Sequence, residues 1–583
     1  MEEGVRLRKY YLLSHIILAL IVLSIAVCIS VNAAGATEDF VLINSKDWRD
    51  VYSGMLYSKM TGSQSSFFVS QKHGIIFLQT LEKNKDYLLV ESGQVYYAGF
   101  EGSMRAAGFN VERLQSANVN LELAKRIVED KGIDDFLIVD DSYGYLAIAA
   151  ASYAVVSDSY VLFADELNID DLVDFLGSTT VDKVTIIGHV DRAVRDVLSG
   201  YDPETIDEGN RFATNIEIVK KYRGINPHTQ IVITNGEFIE DEIMSGLEPV
   251  VFIGKDNIPD VTKTYITGSD IKVAVLVGND LVRTATTIKR ELGVTTYIKF
   301  ARSARVPTGA MSKVEGLDLF YLPKYDLSIT VASVRYNELN RNLEVTYRNS
   351  VEVGAYLKST ISVYDTTTNL TVGDTEPIFI EGGATKTITY LLDEQIASGA
   401  KAHFFVVYGE SSGSLEKLLD ITTEIEFTRI LDNSQVKIAS VHYDKKNSAF
   451  GVVVENTGGV DAFVSAEIVD VMIDEAKQTV GSKKGTVVPS GETKTVYVRQ
   501  AMTDLDLADN PKVKAKAYYG QREDALFKLT SGEFILEIKG FDLIIPLVIA
   551  AVVLLIVIFL LLRKKKKKKK GYVHVHHVHN PLH

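Results

Sequence analysis

The chain has 583 residues, of which 46% are hydrophobic and 24% charged, enough for several packed domains rather than one. Its formal net charge of −14 excludes nucleic acid as a partner, because an acidic exterior repels phosphate backbones. A single cysteine, Cys28, excludes a disulfide framework and favours a prokaryotic envelope over a secreted eukaryotic setting.

At the N-terminus Arg6, Arg8 and Lys9 precede an apolar stretch from Leu12 to Val31 and then Ala33-Ala34-Gly35-Ala36. This pattern predicts a secretory signal over residues 1–36, cleaved after Ala33 or Ala36, with an uncleaved anchor as the alternative because the apolar core is long. Val27 before Cys28 is not the small residue of a lipoprotein signal, which argues against lipidation.

From Phe40 to about Phe300, apolar runs such as Val41-Leu42-Ile43, Leu88-Leu89-Val90, Phe136-Leu137-Ile138-Val139 and Val273-Ala274-Val275-Leu276-Val277 alternate with amphipathic segments. Such alternation predicts parallel strands joined by helices. Nine such strands fall into three sets, each last strand running into a glycine (Gly93, Gly188, Gly278), so a period of about 90 residues predicts three α/β modules at 37–118, 119–207 and 208–323. None of the three turns completes G-x-G-x-x-G, which weighs against a nucleotide site.

The Ala-rich segment Tyr145–Ala154, the strand Tyr160–Ala164, the run Val184-Thr185-Ile186-Ile187-Gly188 and the motif Gly209-Asn210-Arg211-Phe212-Ala213-Thr214 resemble the cell-wall-binding repeat type 2 family. The resemblance implies three Rossmann-like modules that attach to envelope polymers or build a surface layer. It is strongest in the middle module. The first carries Asn118-Val119-Asn120-Leu121 where the motif has its arginine, and the third lacks the Ala-rich helix. Arg211 and Thr214 are the ligand-binding candidates the motif implies. The Arg211 fork suits a phosphate or carboxylate, and an Asp or Glu of this acidic chain is its alternative partner.

After Pro323 the pattern changes to period two, as in Leu343-Glu344-Val345-Thr346-Tyr347, and the series recurs about 110 residues later: Ala332-Ser333-Val334 as Ala439-Ser440-Val441, and Thr385-Lys386-Thr387 as Thr493-Lys494-Thr495. These half-buried antiparallel strands predict two immunoglobulin-like β-sandwiches, 324–430 and 431–540. The second, with Val454-Glu455-Asn456-Thr457-Gly458-Gly459, resembles the adhesion-related (CARDB-like) β-sandwich family of prokaryotic surface proteins.

The run Leu543–Leu562 is long enough for a transmembrane helix, and Arg563 with Lys564–Lys570 puts the tail 563–583 in the cytoplasm and the bulk of the chain outside. In that tail His574, His576, His577 and His579 are dense enough for metal, but a short terminus explains them as well. Asn369 opens the one N-x-[ST] glycosylation acceptor of the exterior. Gly409-Glu410-Ser411-Ser412-Gly413 satisfies G-x-S-x-G, yet it follows a sandwich strand, where a nucleophile elbow does not form. His189 and Asp191 have no nucleophile beside them in sequence.

No cofactor is predicted: calcium or another divalent cation would suit an acidic surface, but no Asp-x-Asp-x-Asp-Gly loop with a closing Glu is present. The expectation is a membrane-anchored, non-enzymatic cell-surface protein, tilted towards archaea, that belongs to or supports a surface layer. Its expected partners are the membrane, an envelope polymer or other surface-layer subunits, and further copies of itself. An adhesin or glycan-binding receptor is the alternative, and an envelope enzyme has least support.

Overall fold

The computed structural model describes residues 38–278, 281, 284–299, 319–324 and 326–540. The predicted signal 1–36 and the span Leu543–Leu562 with Arg563 and Lys564 lie outside the described residues, among which no helix is long and apolar enough to cross a membrane.

The N-terminal half is built of parallel-sheet α/β modules. The first contains β1 (Phe40–Asn44), α1 (Trp48–Thr61), β2 (Gln64–Phe67), α2 (Gln71–Thr80), β3 (Asp86–Glu91), α3 (Phe100–Ala106) and β4 (Asn110–Gln115), with strand order β2-β1-β3-β4. After the linking helix α4 (Val119–Lys131), the second contains β5 (Asp135–Val139), α5 (Tyr145–Val156), β6 (Ser159–Phe163), α6 (Ile169–Ser178), β7 (Lys183–Ile187), α7 (Arg192–Leu198) and β8 (Glu204–Ile206), in the equivalent order β6-β5-β7-β8. After α8 (Arg211–Ile225), the third contains β9 (Gln230–Thr234), β10 (Phe238–Ile239), α9 (Asp241–Met244), β11 (Val250–Phe252), α10 (Asp260–Thr267), β12 (Val273–Val277), α11 (Thr284–Leu292) and β13 (Thr295–Lys299). Its sheet runs β11-β9-β12-β13, and all three sheets are wholly parallel.

The central strands are apolar on both faces because both faces are covered. In β1, Val41 and Ile43 join a core that runs through all three modules, while Leu42 between them joins a separate cluster with Phe68, Phe100 and Met104. The expected count of nine strands is corrected to twelve in these sheets, each of which gains a fourth strand: β4, β8 or β13. Those strands lie at sheet edges, and in β4 only Val111 is buried, so they lack an apolar run. The missing Ala-rich helix of the third module is replaced by β10 and the short α9, and α1, α5 and α9 meet where the three modules join. Tyr52 on α1 donates to the Ala147 carbonyl on α5 (2.8 Å), and Lys59 pairs with Asp241 on α9 (2.5 Å).

Each linking helix stitches one module to the next through a buried asparagine. Asn120 on α4 donates to the Val161 carbonyl (2.9 Å) and accepts from the Phe163 amide (3.2 Å). Asn215 on α8 does the same for Val250 (2.9 Å) and Phe252 (2.8 Å). The receiving strands, β6 and β11, are sheet edges, so without the amide these backbone groups would be buried and unpaired. Asn215→Ala is expected to cost about 2–4 kcal/mol, read as a fall in the melting temperature of the full chain relative to Asn226→Ala.

The C-terminal half is β-rich. Its segment β14 (Phe320–Tyr321) returns to pair antiparallel with β10. There follow β15 (Ile329–Asn337), β16 (Asn342–Asn349), β17 (Ala355–Tyr364), β18 (Asn369–Gly373), β19 (Ile378–Ile380), β20 (Thr385–Leu391), β21 (Lys401–Gly409), β22 (Lys417–Glu424) and β23 (Glu426–Thr428). Sheets β20-β16-β15-β23 and β18-β17-β21-β22 share one apolar core containing Tyr347, Leu357 and Phe404. A second pair of sheets uses β24 (Val436–Asp444), β25 (Ala449–Asn456), β26 (Ala462–Ile473), β27 (Ala476–Gly481), β28 (Thr486–Val488), β29 (Thr493–Arg499), the helix α12 (Asp504–Asp509), β30 (Lys512–Gly520), β31 (Lys528–Ile535) and β32 (Glu537–Lys539). The strand order repeats that of the first pair, down to a register shift between Ile438 and Ser440 that matches one between Val331 and Ser333. Asn349 and Asn456 also play one role: each amide donates to a loop carbonyl and to the last carbonyl of a short strand, Val353 and Ile380 in one case and Val460 and Val488 in the other.

Candidate functional site

In an open parallel sheet the chain leaves two neighbouring strands in opposite directions at one point, and a crevice opens at their carboxyl ends. In the first module that point lies between β1 and β3. A crevice of about 650 Å³ opens there, with Lys46, Asp47, Arg49 and Gln94 on its walls and Trp48 and Tyr321 as its aromatic surfaces.

Asn44, at the end of β1, accepts from the Tyr96 and Tyr97 amides (both 3.1 Å) and donates to Glu91 (2.5 Å), so the loop after β3 is held open in one shape. Ser45 donates to Asp50 (2.5 Å) and lies 3.0 Å from Ser92. Burial pushes the Asp50 carboxyl above its ordinary value, against the pull of those two hydroxyls. Asp47 caps α1 by accepting from the Arg49 amide (2.9 Å); burial opposes its charge, but hydrogen bonds from Arg49 hold its carboxyl below the ordinary value. Arg49 also pairs with Asp141 of the second module. The crevice therefore offers fixed donors and acceptors beside aromatic surface, which suits a polar, ring-bearing ligand. No group of three or more His, Cys, Asp or Glu able to hold a metal ion occurs among the described residues.

The corresponding end of the second module is covered. From the first sandwich, the loop between β21 and β22 reaches Arg211, which is 7% exposed; its guanidinium lies 3.7 Å from the Tyr145 ring centroid, pairs with Glu416 and stands 3.7 Å from Glu410. The same loop is tied to the third module, because Asn257 donates its amide to the Glu416 carbonyl (3.0 Å) and its side chain to the Leu415 carbonyl (2.6 Å). Thr214, 1% exposed, accepts from the Glu208 amide (3.0 Å). Arg211 and Thr214 thus lie together but inward, and Arg211 has taken its alternative partner, a pair of glutamates of this chain. Asn369 is exposed at the start of β18.

The G-x-S-x-G segment is the loop just described, where the Ser411 hydroxyl meets that of Ser414 (2.8 Å). His189 contacts Asp474 of the second sandwich (3.0 Å) rather than a nucleophile. Sequence reasoning missed the first-module crevice, whose visible trace is Ser45-Lys46-Asp47-Trp48-Arg49-Asp50 at a strand-to-helix turn.

No protein-family model and no curated protein matches the chain. Among solved structures it is similar over short stretches to the ligand-binding region of serine–glutamate repeat protein A of Enterococcus faecium (13% identity, 18% of this chain, 98% of that one, TM-score 0.14). It is likewise similar to the exo-chitosanase CsxA of Amycolatopsis orientalis (17% identity, 34% of this chain, 26% of that one, TM-score 0.14). A third is the CsuC–CsuE chaperone–tip adhesion subunit complex of Acinetobacter baumannii (11% identity, 37% of this chain, 100% of that one, TM-score 0.14). At these scores none carries an argument about fold or activity.

Proposed function

We propose that the chain is a membrane-anchored structural protein of a prokaryotic cell surface. Three Rossmann-like modules of the cell-wall-binding repeat type 2 kind form its head, two immunoglobulin-like sandwiches form its stalk, and Leu543–Leu562 fixes it in the membrane with the bulk of the chain outside. Its work is non-enzymatic: it holds an envelope polymer or surface layer at a set distance from the bilayer. The observation that carries this reading is the open, polar, aromatic-walled crevice of the first module, beside a second module whose corresponding end is spent on internal contacts.

The polymer contact is therefore assigned to the first module rather than to Arg211. Lys46 and Gln94 are exposed on its rim, so Lys46→Ala with Gln94→Ala leaves the fold intact. This pair is expected to weaken sedimentation of the full chain with purified envelope polymer about tenfold, the loss of one to two polar contacts, while Lys437→Ala in the second sandwich leaves it unchanged. Equal binding by both variants would sink the assignment.

A further inference from the structure

The second sandwich has two features, absent from the first, that point at the head. Its β26–β27 hairpin turns on two residues, Asp474 (φ 49°) and Glu475 (φ 66°), both left-handed. A two-residue turn of this kind favours Asn-Gly, because a side chain at positive φ is strained. The corresponding β17–β18 hairpin avoids the strain with a longer loop in which Asp365 accepts from the Thr367 and Thr368 amides (both 2.7 Å). The second difference is α12, inserted before β30.

Both place carboxylates on α7 of the second module. Asp474 accepts from the Arg192 amide (2.9 Å) and meets His189 (3.0 Å), and its carbonyl accepts from Arg195 (2.8 Å). Glu475 pairs with Arg195 (3.0 Å), while Asp506 and Asp509 on α12 pair with Arg192 (3.2 Å each). Asp506 also accepts from the Asp474 amide (2.8 Å), so α12 buttresses the tip. Among the described residues the apolar cores of head and second sandwich are separate clusters.

Head, first sandwich and second sandwich thus close a ring of three contacts. Two of them turn on buried ion groups, Arg211 with Glu410 and Glu416, and Lys386 with Glu467. The third is open at its rim, where Glu475 and Asp509 each have 47% of their side-chain surface accessible and Asp474 has 30%, around one shielded pair, Arg192 with Asp506. We propose that this third contact is an electrostatic latch. Ionic strength releases it, and the second sandwich then swings away from the head about the joint between the sandwiches. At 1 M salt the screening length is about 3 Å against about 30 Å at 0.01 M, so exposed pairs fade while buried ones persist.

The test is a distance measurement by double electron–electron resonance on the full chain in detergent, with Cys28→Ser and spin labels at Leu167→Cys and Tyr497→Cys, both exposed. One narrow distribution is expected at 10 mM salt, becoming at least about twofold broader at 1 M salt. Asp474→Lys with Glu475→Lys is expected to give the broad distribution at either salt, and so, from the other side of the contact, is Arg192→Gln with Arg195→Gln. A distribution that stays narrow in the Lys variant overturns the latch, as does one that this variant broadens but salt does not. A distribution that stays narrow in the Gln variant also overturns it.

Discussion

Arg211→Met is expected to destabilise the docking of head on first sandwich by about 3–5 kcal/mol, the cost of stranding buried charge after one partner is removed. Glu410 and Glu416 come from one loop, both are largely shielded from water, and a single guanidinium faces them. Burial pushes the Glu410 carboxyl up to about 7, with Arg211 pulling down and Glu416 pushing up. At Arg211 burial disfavours the charge, yet the two glutamates outweigh it and raise its value above the ordinary one. The raised carboxyl fixes the sign of a pH dependence. An acid whose value is higher docked than free at about 4.5 stabilises the joint fully below about 4.5, and that contribution is lost as pH rises through about 7. The difference amounts to about 3 kcal/mol. Limited proteolysis at the 409–416 loop and thermal unfolding at pH 5 and pH 8 check both statements. Cleavage should quicken at pH 8, the dependence should flatten in Glu410→Gln, and Arg211→Met should be cut readily at either pH. An Arg211→Met protein as resistant as wild type would remove the joint from the account.

This joint marks how far the sequence is legible. Runs such as Val41-Leu42-Ile43 and Phe136-Leu137-Ile138-Val139 announce buried parallel strands because burial on both faces demands unbroken apolar residues. The edge strands Asn110–Gln115 and Thr295–Lys299 are invisible to that signal, since their order comes from pairing with β3 and β12. The sandwich repeat is legible because Ala332-Ser333-Val334 and Thr385-Lys386-Thr387 return at a near-constant offset as Ala439-Ser440-Val441 and Thr493-Lys494-Thr495. The site is less so. Arg211 stands out by motif, but its partners Glu410 and Glu416 lie some 200 residues along the chain, and only the tertiary structure shows that they have already claimed it. The Asp-Glu hairpin tip carries no signal beyond its departure from Asn-Gly, which becomes informative once the positive φ values at Asp474 and Glu475 are known.

Lys386→Met should cost about as much as Arg211→Met, but at the joint between the sandwiches, about 3–5 kcal/mol. The Lys386 ammonium donates to Glu467 of the second sandwich (2.5 Å) and to the Phe379 carbonyl (2.8 Å), and lies 4.0 Å from the centre of the Tyr518 ring. Here burial prevails: it pushes the Lys386 value down, and one carboxylate does not fully restore it, whereas two carboxylates do so at Arg211. Without Lys386 the buried Glu467 carboxylate loses its 2.5 Å ion pair, so the single substitution is severe. Removing both charges is a different experiment. Lys386→Met with Glu467→Leu replaces a desolvated pair by apolar surface of similar volume and is expected to be neutral or stabilising by about 1–4 kcal/mol. A thermodynamic cycle over wild type, the two single variants and the double variant, read by chemical unfolding of the full chain, separates these effects. A double variant as unstable as Lys386→Met alone would mean that the pair acts through its polar contacts, such as the Phe379 carbonyl, rather than through charge balance. The near-neutral outcome would assign the pair to orientation: it selects the angle at which one sandwich meets the next, at little net gain in stability.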